Sequence, residues 1–417
     1  MNVTPLPLSG YRILDLSVMT AGPVGTMLLA DMGADVIKIE EPQLGDLARS
    51  LGNQFVHGES VQFLSQNRNK RSVRLDLKSE AGRETFLRMT ETADAVVENF
   101  RPGTVDRLGI GYETVKARNP RIIYASVSAF GQSGPYSGWP ANDPIVQAVA
   151  GLMDMTGEPE GNPVRLGAPL PDFGAAAMLA FGVVSALLHR ERHGEGQQLD
   201  TSLLSASLLS TIPRDGETLR SGQAQHRFGS GHPTMVPYRN YKGVDGKFFF
   251  MACFSEKFWR NLCHALGRQD LIVDPRFVDN TARTLHRVPL DDILESEFRG
   301  QPAARWCEIL TMADVPCALV QDYHTALTID PQVRHAGSVI HFEHPSAGAM
   351  SNIANPVNFR GSPASYRRAP PRLGEHTREV LMEFNFSDAE VKQLIQAQVV
   401  WPMADPPHAF GQGDVSP

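Results

Sequence analysis

The stretch Tyr11–Glu40, YRILDLSVMTAGPVGTMLLADMGADVIKIE, decides the fold. Tyr11-Arg-Ile-Leu-Asp-Leu is an apolar run of strand length, and Asp35-Val-Ile-Lys-Ile-Glu is a second one. Between them Ser17 to Pro23 is rich in turn formers, and Pro23 suits the first position of a helix. Val24–Met32 spaces its apolar residues as a helix does, and Gly33 stops it. Strand, helix and strand in so short a stretch make a βαβ unit, and its two strands must run parallel.

The alternation continues outward. Arg71–Lys78 places Val73, Leu75 and Leu77 on one side and Arg74, Asp76 and Lys78 on the other, as a half-exposed strand would. Ser79 caps a helix that runs to about Thr92. Ala93–Glu98, Arg121–Val127 and Gln197–Asp200 read as further strands. Ile145–Met153 and Leu203–Thr211 read as short helices. Phe173–Arg192 is a long helix of small and apolar residues, predicted to be buried and to end at Gly194. The pattern predicts an α/β fold with a doubly wound, mainly parallel sheet.

The rhythm changes after Pro213. Residues 214–235 are polar and Gly-rich and read as a linker. Residues 236–325 hold the strand Lys247–Ala252, the helix Glu256–Leu266 and all four cysteines, and read as a smaller α+β domain. The domain map is therefore 1–213 for the first part of a large domain, 214–235 for the linker, 236–325 for the small domain and 326–417 for a return segment. That segment has one clear helix, Thr377–Glu383, and a loose tail over 401–417.

Composition narrows the function. A length of 417 residues exceeds one ordinary core. With 42% hydrophobic and 20% charged residues the chain reads as soluble and globular. A net charge of −7 turns away nucleic acid. Unbroken apolar runs stay short of the roughly eighteen residues of a membrane span, and the first residues lack a secretory leader's basic and apolar regions. Cys253, Cys263, Cys307 and Cys317 form no C-x-x-C pair, so zinc and redox motifs are not expected. They read as small buried hydrophobes of a reducing compartment, the cytoplasm by default.

Four stretches carry possible chemistry. Ala21-Gly-Pro-Val-Gly sits where a dinucleotide fold holds pyrophosphate, but only Gly22 and Gly25 are present and Pro23 removes an N–H. The spacing does not fit a nicotinamide site, and close helix-on-strand packing accounts for it. Asn67–Lys78 carries Arg68, Lys70, Arg71, Arg74 and Lys78 against Asp76. It is either a patch for a ligand with several phosphates or a solvated face. Glu98-Asn-Phe-Arg-Pro-Gly follows a strand, at the end where α/β proteins bind ligands. Asn99 offers an amide, Phe100 a stacking face, and Arg101 and Arg107 charge. Leu170-Pro171-Asp172 puts an acid at the mouth of the long helix. Asp is a favoured N-cap, and a helix N-terminus that keeps the carboxylate ionised leaves it able to attack a thioester. The sequence has no serine-nucleophile elbow, P-loop or H-E-x-x-H.

Taken in order, several of these stretches resemble the family III CoA-transferases, the group of formyl-CoA transferase, the carnitine CoA-transferase and the α-methylacyl-CoA racemases. The resemblance lies in Leu8-Ser-Gly-Tyr-Arg-Ile-Leu-Asp-Leu-Ser, Leu29-Ala-Asp-Met-Gly-Ala-Asp-Val-Ile-Lys-Ile-Glu, Asn69–Lys78, Glu98-Asn-Phe-Arg-Pro-Gly, Gly131-Gln-Ser-Gly-Pro-Tyr, Gly194-Glu-Gly-Gln-Gln-Leu-Asp and Ala369-Pro-Pro-Arg-Leu-Gly-Glu-His-Thr. Each piece is weak alone, and the ordered set spans nearly the whole chain.

The resemblance implies a large Rossmann-like domain built from both chain ends, a small domain between them, and an interlocked homodimer. It implies transfer of coenzyme A from an acyl-CoA to a free carboxylic acid, with Asp172 as nucleophile and aspartyl anhydride and aspartyl-CoA intermediates. The candidate CoA-binding set is Leu75, Lys78, Asn99, Phe100, Arg101, Arg107 and Asp143. CoA is a substrate in this reading, and neither a resident cofactor nor a metal is implied. Two departures stand out. Glu41 occupies a place where some members carry a basic nucleotide contact. Asn142-Asp143 stands where the racemases carry His-Asp, and Asn cannot take a proton. A racemase-type isomerase, a non-catalytic CoA-binding protein and a nicotinamide oxidoreductase are the rival readings. The loop Gly229-Ser-Gly-His-Pro is expected to face the acyl pocket.

Overall fold

The structure, a computed structural model, describes residues 5–403. The chain forms two compact units, one from the residues up to 152, 166–222 and 335 onward, the other from 153–165 and 223–334. These boundaries differ from the sequence map. Arg214–Ser221 is a helix of the first unit rather than linker, and the Gly/Pro-rich segment 153–165 belongs to the second.

The first unit is built on a seven-stranded sheet. Its parallel strands are β1 (Arg12–Asp15), β2 (Asp35–Glu40), β3 (Lys70–Leu75), β4 (Ala95–Glu98), β5 (Ile123–Ser128) and β6 (Gln197–Ser202), and β7 (Val400–Trp401) pairs antiparallel with β3 at the edge. The order across the sheet is β7-β3-β2-β1-β4-β5-β6. Leu14 lies opposite both Ile37 and Val96, so β1 is central. Strand order reverses between β1 and β4, and the carboxyl ends of those two strands therefore open a crevice.

Helices cover both faces. They are α1 (Ala21–Asp31), α2 (Glu80–Thr90), α3 (Tyr112–Arg118), α4 (Asp143–Val149), α5 (Leu170–His193), α6 (Leu203–Leu209), α7 (Thr377–Glu383) and α8 (Asp388–Gln396). Alternate strand residues serve the two faces. Ile13, Val36, Val97 and Ala125 pack with Leu29 of α1 and Leu179 and Val183 of α5. Leu14, Ile37, Val73 and Val96 pack with Phe86 of α2, Val115 of α3, Val380 of α7 and Val391 of α8. The two glycines of the first loop serve this packing. A Cβ on Gly22 would lie 2.2 Å from that of Ser17, and one on Gly25 would lie 2.9 Å from the Ala176 carbonyl of α5.

Several expectations are corrected. The strand expected at 71–78 spans Lys70–Leu75 and is buried on both faces, so its alternation does not mark a solvated side. The basic run is an internal set of ion pairs. Arg68 meets Asp31 at 2.7 Å, Lys70 meets Asp15 at 2.8 Å, and Arg71 meets Asp35 at 2.6 Å and Glu383 at 2.7 Å. Arg74 Nε donates to the Pro42 carbonyl at 2.7 Å. Of the five cations only Lys78 is exposed. Helix α5 is long and apolar enough to pass for a membrane span by composition. It packs one face on the sheet, while Phe173, Phe181, Val184 and Leu188 on the other are exposed in the single chain. The return segment holds α8, a short helix at Pro331–His335 and a hairpin of Val339–His344 with Gly348–Ile353, besides α7. Trp401 belongs to β7, and residues 404–417 of the expected tail lie outside the described residues.

The second unit carries a three-stranded antiparallel sheet in the order Cys317–Leu319, Phe248–Ala252, Tyr238–Lys242. Helix Glu256–Ala265 and its neighbours close a core around Phe249, Trp259, Leu290 and Phe298. Cys253 and Cys263 are buried as expected, and burial pushes the Cys263 thiol up to about 12. Cys307 and Cys317 are only half-buried, with the Cys317 thiol 3.6 Å from the Cys307 carbonyl.

Candidate active site

Asp172 is the third residue of α5, whose N-cap is Pro169 and whose first turn contains Pro171. Proline suits a helix start because its missing N–H is one the helix would leave unpaired. The side chain of Asp172 makes no capping bond, so the capping role is corrected. Its backbone N–H instead donates to Asp143 Oδ2 at 3.1 Å. Asp143 is the first residue of α4 and is buried. Its second oxygen accepts from Gln147 Nε2 at 2.6 Å, and Gln147 Oε1 accepts from the Leu166 N–H at 2.8 Å. Burial, and then the charge of Asp143, push the Asp172 carboxyl up to about 7. This corrects the expectation that the helix end simply keeps the acid ionised. The dipole favours an anion here, but desolvation and a second carboxylate oppose it.

A cleft of about 680 Å³, counted to its open mouth, lies over the carboxyl ends of β1, β2 and β3. Leu16–Val18, the end of β2 from Lys38 with the turn residues Glu41, Pro42, Gly45 and Asp46, Leu75–Lys78, Phe100 and Leu108 line it. Asn99 braces one wall. Its Oδ1 accepts from the Val18 N–H at 2.9 Å and its Nδ2 donates to the Val18 carbonyl at 2.7 Å, joining the loops after β1 and β4. Lys38 Nζ stands 2.8 Å from Asp46 and donates to the Ser17 carbonyl at 2.6 Å. Asp46 accepts in turn from the Met19 N–H at 2.9 Å. Below them lies the Asp15–Lys70 pair. Burial alone would raise Asp15, but Lys70 and Lys38 hold it well below the usual carboxylate range. At Lys70 burial prevails over Asp15 and lowers the amine to about 8. Buried charges thus tie the loops after β1 and β2 together. Glu41 turns its carboxylate onto its own loop, accepting from the Gln43 and Leu44 N–H groups at 2.9 and 2.7 Å. Glu98 accepts from the Phe100 N–H at 2.8 Å, and burial raises its carboxyl to about 7.

Leu75, Lys78 and Phe100 thus come together in one cleft, with Asn99 behind it. Arg101 and Arg107 are exposed and do not line it, and Arg107 Nη2 turns to Thr104 Oγ1 at 3.0 Å. Asp143, grouped by sequence with the CoA-binding residues, stands instead against Asp172. The Gly229 loop belongs to the second unit, where the Gly229 N–H bonds the Gly157 carbonyl at 2.9 Å. Sequence reasoning missed Gln147, Lys38 and Asp46, and gave Glu98 no role of its own within the stretch it opens. Gln147 was legible as the residue four places after Asp143, on the same helical face. Lys38 was legible as a charge between Ile37 and Ile39 in an otherwise apolar strand.

An open α/β sheet with a ligand-sized cleft near its switch point, together with a half-buried carboxyl at a helix start whose backbone is tied to a second buried carboxylate, has the layout of a ligand-binding α/β enzyme. The profile of CoA-transferase family III matches residues 8–377, and the chain belongs to that family and is a CoA-transferase. It is 37% identical over 386 residues to the acetyl-CoA:oxalate CoA-transferase of Acetobacter aceti, covering 92% of this chain and 97% of that one. It is 34% identical over 386 residues to the succinate–glutarate CoA-transferase of Agrobacterium fabrum, covering 90% of this chain and 95% of that one. Among solved structures it is similar to a CAIB/BAIF family protein from Brucella suis. The TM-score is 0.82 and the identity 32%, with 91% of this chain and 100% of that chain covered.

Proposed function

We propose that this CoA-transferase moves CoA between two small carboxylic acids through covalent intermediates on Asp172. The observation that carries the reading is the half-buried Asp172 in the first turn of α5, its backbone N–H tied to the buried Asp143 and its carboxyl left without a salt-bridge partner among the described residues. In the ionised form an Asp172 oxygen attacks the thioester carbonyl carbon, the C–S bond breaks, and CoA leaves as thiolate. The product is a mixed anhydride. The thiolate then attacks the Asp172 carbonyl carbon of the anhydride, which releases the donor acid as carboxylate and leaves an aspartyl-CoA thioester. The acceptor carboxylate and CoA repeat the two steps in reverse. No bond is hydrolysed and no electrons change hands. The names of the two relatives, with oxalate, succinate and glutarate, point to small dicarboxylates as acceptors. Racemisation has less support, since Asn142 offers no base at the position next to Asp143. Incubation with succinyl-CoA and hydroxylamine tests the reading. A hydroxamate on the Asp172 peptide supports it, and an unmodified Asp172 in an enzyme that still turns over excludes it.

The cleft over β1–β3 is the proposed CoA site of the Rossmann-like unit, with Phe100 against the base and Lys78 the one exposed cation on its rim. Lys78→Ala should weaken CoA binding by about 1.5 kcal/mol, roughly tenfold, the contribution of one charge-assisted contact. Calorimetric titration with CoA checks this, and an unchanged affinity removes Lys78 from the site. We also propose a homodimer of interlocked subunits. The apolar residues Phe181, Val184 and Leu188, spaced three and four apart on one face of α5, support it. Sedimentation at micromolar concentration should give a dimer, and a stable folded monomer would overturn this.

A further inference from the structure

We infer that Gln147 is a positioning residue for the transfer reaction, an amide relay that fixes the Asp143 carboxylate against Asp172. This rests on the reading of Asp172 as nucleophile.

Gln147 is fully buried in the middle of α4 and is used at both ends of its amide. Its oxygen takes the backbone N–H of Leu166, and its nitrogen gives a short 2.6 Å bond to Asp143. Asp143 has two oxygens, one for Gln147 and one for the backbone of Asp172. A chain of three hydrogen bonds therefore runs Leu166, Gln147, Asp143, Asp172. Each link has one orientation. A backbone N–H can only donate, so the Gln147 oxygen must face Leu166 and its NH₂ must face Asp143. The assignment of the amide, ordinarily open, is fixed by its neighbours. A buried glutamine bonded to a carboxylate on one side and to a loop on the other has little freedom to move. The consequence for Asp172 is electrostatic. Among the described residues Asp143 is the charged group that acts on it. How strongly a proton is held on Asp172 depends on where the Asp143 charge sits, and Gln147 sets that place.

The experiment compares two variants of the full-length enzyme by the pH profile of kcat. Gln147→Met keeps the volume and removes both hydrogen bonds. Asp143 is then free to turn from Asp172, and the acid limb of the profile should move to lower pH. Gln147→Glu keeps an acceptor for Leu166 but loses the NH₂ and adds a negative charge beside Asp143. The acid limb should then move to higher pH. In both, kcat should fall by about 10- to 100-fold through misplacement of the nucleophile, while KM for acyl-CoA stays within about twofold because the cleft residues are untouched. Opposite displacements of the limb distinguish a relay from a merely structural side chain, which would change stability or both limbs alike. If either folded variant keeps the wild-type limb, or if both move the same way, the inference falls. Should the Met variant fail to fold, the Glu variant decides by the direction of its limb alone. Hydroxylamine trapping at Asp172 is scored separately, so failure of the nucleophile reading is told apart from failure of the relay.

Discussion

Asp172→Asn should leave a folded protein that binds CoA and has lost transfer activity by at least about 10³-fold, as removal of a covalent nucleophile does. The side chain keeps its size, and no capping bond is lost because Asp172 makes none. What goes is the charge and the nucleophilic oxygen. The wild type should also show the raised carboxyl directly. Protonated Asp172 is not a nucleophile, and its carboxyl titrates near 7. Transfer should therefore rise with pH through about 7 and level off above it, falling about tenfold per unit below. A near-normal rate in the Asn variant would end the covalent proposal, and a flat profile from pH 5 to 8 would end the assignment of the limb to Asp172.

The second large effect is on stability. Asp15→Ala should destabilise the protein by about 3–5 kcal/mol, the usual effect of stranding one partner of a buried pair. That is a large share of the roughly 5–15 kcal/mol that holds a domain folded. Asp15 is fully buried and accepts from Lys70 at 2.8 Å, the Ser17 N–H at 3.0 Å and Thr26 at 2.8 Å. Without it the Lys70 amine keeps only two neutral acceptors, the Pro23 carbonyl and Asn67 Oδ1. Adding Lys70→Met should recover much of the loss, because a well-packed apolar side chain leaves no stranded charge. Urea unfolding of the single and double variants checks both statements. A single-variant loss under about 1 kcal/mol would show that the pair does not hold the floor of the cleft.

The sequence was most legible where local signals agree. Asp35–Glu40 and Thr377–Glu383 have the bounds read from the chain, and Glu256 opens its helix after Ser255 as its pattern demands. It misled at Asn67–Lys78. A parallel strand covered by helices is buried on both faces even next to the sheet edge, so alternating charges there do not mark solvent. Their partners Asp15, Asp31 and Asp35 lie on other elements, and Glu383 is 312 residues from Arg71 along the chain. No window of sequence contains both halves of such a pair. The site divides the same way. The cleft residues follow strands, where loops of an α/β sheet meet. The contact between Asp143 and Asp172 spans 29 residues and a Gly/Pro-rich loop, and only three-dimensional closure brings it about.

The edge strand β7 has a consequence for how the protein is made. Its residues Val400 and Trp401 pair with Leu75 and Arg74. Before them, Glu379 and Glu383 neutralise Arg71, and the Ser72 carbonyl accepts from the His376 N–H. A nascent chain that has emerged from the ribosome as far as Arg334 therefore has the whole second unit, yet β3 still lacks a neighbour on one side and its arginine still lacks two carboxylates. The middle of the chain is ready to fold while its beginning waits for its end. During that interval the unfinished edge beside the cleft is open to wrong partners, as unpaired strands are. Synthesis of residues 376–401, rather than of the proposed catalytic ones, sets the moment at which β3 gains its second neighbour.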